Sequence, residues 1–186
     1  MDRTAYIDEA FSAGPVGAYV VAAVLVPSGR ADGLRLELRH LFRDRKGRFH
    51  WHHEKDSFRL RMLEFIGDAG VAAVSVSTCL RDAREQERAR GLAIDRLLWE
   101  MRTHGPAHLI LESRQERNDQ RDRRRIMAAQ KAGKASVDLT YGFGRPDGEP
   151  LLWLADAVAS AVLAAEFGDD RAITEVVGGV LTRIKL

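Results

Sequence analysis

Residues 4–27, TAYIDEAFSAGPVGAYVVAAVLVP, contain the pattern that most strongly predicts the fold. The stretch 18–27 is a continuous apolar run rich in valine, which is typical of a strand covered on both faces of a sheet. A second strand is predicted at 4–10, and the intervening FSAGPVG has the glycines and the proline of a turn. Two strands separated by so short a turn predict an antiparallel hairpin.

Beyond the hairpin, helical and extended patterns alternate along the chain. Helices are predicted at 32–43, 58–66, 83–103 and 151–166, with a basic helix that Asn118 or Asp119 would cap. Strands are predicted at 49–56 (FHWHHEKD), 71–80, 107–113 and 135–143. A hairpin followed by such alternation predicts an α/β fold with a mixed sheet, in one domain that covers 1–186.

The composition excludes several classes of protein. A chain of 186 residues is long enough for one domain with a substantial core. Its single cysteine, Cys79, excludes an intrachain disulfide and a cysteine zinc cluster, and its apolar surroundings predict a small core residue. The sequence has neither a signal-peptide pattern nor an apolar stretch of membrane-spanning length, which predicts a cytoplasmic protein without a membrane partner. The apolar tail 176–186 is a candidate interface for a homo-oligomer.

Positive charge is concentrated in one segment. The formal net charge is only +2, but residues 114–134 hold eight lysine or arginine residues against three acids. Such an excess can face phosphates, and a solvated helix face is the alternative. The candidates for contact with a nucleic acid, either RNA or DNA, are Arg114, Arg121, Arg124, Arg125, Lys131 and Lys134.

Three carboxylates occupy positions that suggest a metal site. Asp156 and Ser160 are the only polar side chains in LLWLADAVASAVLAA, residues 151–165, and an unpaired buried charge costs several kcal/mol, so Asp156 needs compensation. Asp8 and Glu112 end apolar strands, and central strands of a sheet bring such ends together. Because Mg²⁺ and Mn²⁺ prefer oxygen ligands, the pattern predicts two such ions, with Asp8 as the bridging ligand.

Each acid also has a purely structural alternative. Asp156 would cap a helix if that helix began after residue 155, Glu112 would pair with a following arginine, and Asp8 would cap the adjacent turn. Glu54, where the predicted strand 49–56 gives way to a helix, is a fourth candidate ligand, and an exposed acid at a helix start is its alternative.

The neighbouring His50, His52 and His53 invite comparison with a zinc site. On a straight strand, residues 50 and 54 would lie about 13 Å apart at roughly 3.3 Å per residue, so at most two neighbouring side chains would share a metal ion. His50 or His52 is instead predicted to assist proton transfer or to touch a phosphate, and surface histidines beside a buried Trp51 are the alternative.

Four short motifs together resemble a known family. YIDEA at 6–10, the Glu54-Lys55 pair, LILES at 109–113 and LLWLADAVASAV at 151–162 resemble the domain of unknown function 3800, a bacterial and phage group placed in the ribonuclease H-like superfamily. The helix motif is the most specific of the four. One departure is visible, because Ala10-Phe11 stands where the family usually has Ser-Gly.

The resemblance implies a ribonuclease H-like sheet flanked by helices and a Mg²⁺-dependent site made of Asp8, Glu54, Glu112 and Asp156. The leading hypothesis is therefore a divalent-metal-dependent nuclease that hydrolyses phosphodiester bonds through a two-metal carboxylate site. The rival hypothesis is a non-catalytic nucleic-acid or protein-binding module on the same fold. A hydrolase that uses His50 or His52 with Glu54 on zinc is a third possibility. The positions of the acids distinguish the first two hypotheses, because a nuclease requires these carboxylates to lie close together and a binding module does not.

Overall fold

Six strands form one sheet in the residues that the computed structural model describes, which are 2–43, 48–106, 108–169 and 177–186. In chain order the strands are β1 (Arg3–Ser12), β2 (Ala18–Pro27), β3 (Ala72–Cys79), β4 (His108–Glu112), β5 (Thr140–Gly144) and β6 (Leu181–Lys185). Their order across the sheet is β5-β4-β1-β2-β3-β6. β1, β2 and β3 are antiparallel neighbours, whereas β4, β5 and β6 each run parallel to the strand beside them. The predicted mixed sheet and the predicted hairpin are confirmed.

Five α-helices flank this sheet in the same residues. They are α1 (Ala31–Leu41), α2 (Asp56–Asp68), α3 (Gln86–His104), α4 (Glu116–Lys131) and α5 (Leu152–Glu166). The helices α1, α2 and α5 pack on one face of the sheet, and α3 and α4 pack on the other. Even-numbered residues of β2 enter the first core and odd-numbered residues enter the second, which explains why this strand is apolar throughout.

Helix α5 is a core helix, and it lies against β1 and β2. Every residue from Leu152 to Leu163 is buried, as expected for a helix that is apolar on all sides. Small side chains such as Ala155 and Ala159 let it approach the sheet closely. The helix thereby carries Asp156 towards the carboxyl-terminal end of β1.

Several predicted details at the ends of elements were wrong. Helix α4 begins at Glu116, so Asn118 and Asp119 lie inside it. The Asp119 carboxylate instead accepts hydrogen bonds from the Ser113 hydroxyl (2.8 Å) and the Arg114 backbone N–H (2.9 Å), and so fixes the chain that leaves β4. Cys79 is exposed at the end of β3 rather than in the core.

The carboxyl-terminal residues complete the sheet. β6 pairs in parallel with β3, so this part of the apolar tail serves the fold itself. The Glu166 carboxylate, at the end of α5, pairs with Lys185 at 2.5 Å and accepts a hydrogen bond from Ser77 at 3.0 Å. None of the helices in the described ranges is both long and apolar enough to cross a membrane.

Candidate active site

Asp8 and Glu112 stand beside each other on one face of the sheet. β1 and β4 run parallel with Ile7 opposite Leu111, which places the next residue of each strand, Asp8 and Glu112, side by side. Tyr6 packs in the core that contains α5, so strand alternation directs Asp8 towards α5 as well. The two carboxylates therefore meet where β4 and its pairing with β1 end. The prediction that Asp8 ends its strand was wrong, because β1 continues to Ser12.

The carboxyl group of Asp8 shares a hydrogen bond with that of Glu112. Burial raises the pKa of Asp8 well above its ordinary value, and the negative charges of Glu9, Glu112 and Asp156 raise this pKa further. Asp8 therefore gives up its proton less readily than an exposed aspartate does. A cation bound at this position would offset the neighbouring negative charges and favour the charged form of Asp8.

Asp156 lies in the second turn of α5 and is compensated by polar neighbours. The Trp51 backbone N–H donates to Oδ2 at 3.1 Å, and Nδ1 of His50 lies 3.2 Å from the same oxygen. The Ser160 hydroxyl donates to Oδ1 at 3.2 Å. These contacts explain how a carboxylate is accommodated in an apolar helix. Since α5 begins at Leu152, the helix-cap alternative is excluded.

The strand predicted at 49–56 was wrong, because its centre is a 3-10 turn, Trp51–His53. The turn is closed by hydrogen bonds from the backbone N–H groups of His53 and Glu54 to the carbonyls of His50 and Trp51. Trp51 also bonds outside the segment, since its N–H donates to Asp156 and its carbonyl accepts a second hydrogen bond, from Arg59. A strand partner is therefore unnecessary.

This turn separates the histidines. His50 is half-buried, and its hydrogen bond to the Asp156 carboxylate raises the pKa of His50 above its ordinary value. His52 and His53 are exposed, with ring centroids 5.8 Å and 4.7 Å from that of His50. Of the two histidines predicted to assist chemistry, His50 is therefore the one held against an acid of the candidate site.

A cleft of about 210 Å³ opens over the carboxylates. Its walls carry the carboxylates of Asp8, Glu112 and Asp156, the imidazole of His50 and the guanidinium groups of Arg48 and Arg114. Arg48 Nη1 lies 3.9 Å from Glu112 Oε1, so the arginine that pairs with Glu112 among the described residues precedes it in the chain rather than following it. Glu54 is buried at the end of the 3-10 turn, but it is not among the residues that line the cleft.

The donors of this cleft suit a hard divalent cation in their chemistry. Carboxylate oxygens are the ligands that Mg²⁺ and Mn²⁺ prefer, and the negative charges that raise the pKa of Asp8 favour a cation beside it. The described residues contain no group of three His, Cys, Asp or Glu side chains already arranged to hold a metal ion. Binding would therefore require side-chain rotation, for example an exchange of partners by Asp156.

Sequence reasoning missed a buried ion-pair network behind the cleft. Arg90 of α3 is only 1% exposed, and its guanidinium group pairs with Glu9 of β1 and, at 2.8 Å, with Asp122 of α4. Arg114 joins the network through Asp122 at 3.3 Å and Glu9 at 3.8 Å. A signal existed, because Arg90 occupies the same inward helical stripe as Ile94, four residues later.

The basic segment lies on the opposite side of the molecule from α5, on helix α4. A groove of about 730 Å³ between α3 and α4 is lined by the predicted cations Arg121, Arg124, Arg125 and Lys134, and by Arg88 of α3. Some of these charges are already paired, since Arg125 lies 2.7 Å from Asp95 and Arg121 lies 3.4 Å from Glu87. Arg124 and Lys134 are exposed. Lys131 is exposed too but does not line the groove, and Arg114 belongs to the carboxylate cleft.

Solved structures of three ribonucleases H resemble this chain. RNase HII from Archaeoglobus fulgidus, solved with PCNA, has 17% identity and a TM-score of 0.56, covering 97% of this chain and 82% of its own. Bst-RNase HIII in complex with Mn²⁺ has 12% identity and a TM-score of 0.56, and the match covers 94% of this chain and 56% of the RNase HIII chain. Ribonuclease H2 from Pyrococcus horikoshii OT3 has 12% identity and a TM-score of 0.54, and the match covers 97% of this chain and 81% of the ribonuclease H2 chain.

The predicted ribonuclease H-like fold is thereby confirmed. Identities of this size show the fold alone. No protein-family model matches the chain, and no curated protein matches it either. Membership of the domain of unknown function 3800 stays a prediction from the four sequence motifs.

Proposed function

We propose that this protein is a divalent-metal-dependent nuclease that hydrolyses phosphodiester bonds at the carboxylate cleft. One observation carries the proposal: Asp8, Glu112 and Asp156 come from three different elements and line one small cleft. A binding module has no need for a buried acid such as Asp8, whose pKa is raised by the charges of neighbouring acids. The structural resemblance to three ribonucleases H supports the same reaction class.

The proposed cofactor is Mg²⁺ or Mn²⁺, with two ions held by the acids. Such ions, when bound, activate water and stabilise the attacking and leaving oxygens of a phosphodiester. Asp8 is the proposed shared ligand because the charges of both Glu112 and Asp156 act on it. Glu54 stays in the proposal as a fourth acid, although it would have to turn towards the cleft. The Mn²⁺ complex of the similar RNase HIII supports this choice of cation.

His50 is the proposed proton carrier. Its hydrogen bond to Asp156 favours the protonated imidazole, so His50 keeps its proton at a higher pH than an isolated histidine does. A protonated imidazole at the wall of the cleft can donate to a departing oxygen or hold a phosphate. His52 is a less favourable carrier because it is exposed and does not line the cleft.

We expect Mn²⁺ to bind to the wild type and to bind more tightly as the pH rises. The sign follows from Asp8: its pKa is raised, and its carboxyl group must lose its proton before the oxygens can coordinate a metal ion. Isothermal titration at pH 6, 7 and 8, in buffers of different ionisation enthalpy, measures both the affinity and the protons released.

The Asp8→Asn/Asp156→Asn double variant should lose this binding, whereas Asp68→Asn, an exposed acid at the end of α2, should retain it. Each titration is repeated with a 12-nucleotide RNA or DNA strand, since a phosphate can complete the metal site. Absence of Mn²⁺-dependent heat from the wild type under both conditions would contradict the proposed metal site.

The groove between α3 and α4 is the proposed track for the phosphate backbone. Reversing two exposed charges there, in Arg124→Glu/Lys134→Glu, should weaken nucleic-acid binding about 10-fold or more at moderate salt. The slope of log affinity against log salt concentration should also become shallower by about one unit for each lost phosphate contact. Fluorescence anisotropy over a salt series measures both quantities. The matched control is Arg39→Glu/Arg61→Glu, which reverses two exposed charges on α1 and α2. Equal weakening in the control would show an effect of overall charge rather than of this groove.

A further inference from the structure

Phe11 places an aromatic ring at the wall of the carboxylate cleft. It lies near the end of β1, three residues after Asp8, and its side chain is 42% exposed. One face of the ring stacks on Tyr19, with centroids 5.5 Å apart and planes 7° from parallel. Tyr19 is itself fully buried. The Phe11 ring is therefore held in a defined plane while much of its surface stays in contact with solvent.

Hairpin stability does not require this exposure. Phe11 and Tyr19 are register partners, and a cross-strand aromatic pair stabilises a hairpin. A buried pair would do the same without leaving a large ring exposed at the mouth of a polar cleft. Strand alternation places the Phe11 ring, like Tyr19 on which it stacks, on the sheet face opposite to Asp8. Phe11 nevertheless lines the same cleft as two arginines and three carboxylates, which points to a ligand with both a flat apolar part and a negative charge.

An unpaired nucleotide has both features. Proteins that hold single strands combine cationic side chains for the backbone with aromatic rings on which bases stack. In the cleft, Phe11 is the ring and Arg48 is the more exposed cation, whereas Arg114 is already paired with Glu87 and Asp122. The volume of about 210 Å³ is below the roughly 300–1,000 Å³ of pockets that enclose a drug-sized ligand. This volume suits one nucleotide of a nucleic-acid strand whose other nucleotides lie outside the cleft.

We propose that Phe11 is the stacking platform for an unpaired base next to the carboxylate site, which makes single-stranded nucleic acid the preferred substrate. The inference rests on the proposed nuclease function and specifies its substrate class. Bases of an intact duplex are already stacked on their neighbours and must be unpaired and unstacked before they can contact a protein ring, which costs free energy. Phe11 is thus a positioning and specificity residue, whereas the acids carry the chemistry.

The test compares fluorescein-labelled 12-nucleotide single strands of uridine and of thymidine with the corresponding duplexes, in the presence of Mn²⁺. We expect the wild type to prefer the single strands. Phe11→Ala should raise KM for them roughly 5- to 150-fold, the range that loss of one base–aromatic stack produces, with little change in kcat. Phe11→Leu should behave like Phe11→Ala because it keeps apolar volume without a ring face, and Phe11→Tyr should restore the wild-type KM.

Thermal unfolding of each variant separates this role from a structural one. If Phe11 only supports the hairpin, Phe11→Leu and Phe11→Ala lower the unfolding temperature while KM stays at the wild-type value, and the platform is overturned. Phe167→Ala, at an equally exposed phenylalanine beyond α5, is the matched control and should leave KM unchanged. If the wild type cleaves duplexes as well as single strands, and KM is unchanged in the Phe11 variants, the stacking inference is overturned while the proposed nuclease activity stands. A wild type that neither binds nor cleaves any of these strands would overturn the nuclease proposal itself.

Discussion

Cleavage of a nucleic-acid substrate should fall by at least about 10³-fold when Asp8 is replaced by asparagine. Asp8 is the acid on which the charges of Glu112 and Asp156 both act, and it is the proposed shared ligand of the two ions. Asparagine keeps the shape but removes the negative charge, and loss of the several kcal/mol that metal ions contribute to a transition state corresponds to this factor. Single-turnover cleavage of labelled RNA and DNA strands with Mn²⁺ measures the effect, and Asp156→Asn should act in the same direction.

The same variant should be more stable than the wild type when no divalent ion is present. Because the folded-state pKa of Asp8 is raised, its contribution to stability is complete below the unfolded-state pKa and is lost as the pH rises through the folded-state pKa. Above that pH the wild type carries a buried charge that asparagine lacks. Asp8→Asn should therefore raise the unfolding temperature most at high pH, with about 2–4 °C expected for each kcal/mol in a protein of this size.

Loss of activity together with gain of stability distinguishes a functional acid from a structural one. If Asp8 instead supported the fold, Asp8→Asn would lower the unfolding temperature, and its loss of activity would follow from unfolding. Asp68→Asn should change neither quantity, since that side chain is exposed. Metal-dependent cleavage at the wild-type rate by both Asp8→Asn and Asp156→Asn would contradict the proposed active site.

The largest loss of stability is expected from Arg90→Met, about 3–5 kcal/mol. Arg90 is buried between Glu9 and Asp122, and Asp122 is itself only 3% exposed. Methionine fills much of the volume but removes the buried cation that lies between the two acids and leaves only the longer contacts of Arg114. A buried charge with too little compensation destabilises the fold more than the intact pair stabilises it. Denaturant unfolding followed by circular dichroism measures the change, provided that the slope m stays constant.

A compensated variant tests the cause of this loss. Arg90→Met combined with Glu9→Gln and Asp122→Asn removes all three charges together, and it should recover much of the lost stability. The exposed pair of Arg96 and Glu100, 2.6 Å apart on α3, provides the control, because Arg96→Met should cost no more than about 1 kcal/mol. If the triple variant were as unstable as Arg90→Met alone, packing of the arginine side chain rather than charge would explain the result.

Much of the architecture was predictable because its causes are local. The apolar run 18–27, the turn before it and the apolar helix 151–166 each have a period or a composition that admits one conformation. Predictions failed where contacts distant in sequence override a local pattern. The alternation in FHWHHEKD suggested a strand, but Asp156, more than a hundred residues away, accepts the N–H of Trp51 and supports a turn.

The sequence by itself determined that this chain forms a mixed α/β fold, because hydrophobic periodicity can be read directly from the order of residues. It also showed that Asp8, Glu112 and Asp156 lie in or next to apolar elements, where an isolated charge is costly. Only the tertiary structure decided which of these groups meet. The parallel register of β1 and β4 puts Asp8 beside Glu112. The 3-10 turn brings His50 to Asp156, while Glu54 does not line the cleft. Arg90 of α3 reaches Glu9 across the interface between the helix and the sheet. Distances between side chains depend on register and packing, and neither is encoded in the spacing of residues along the chain.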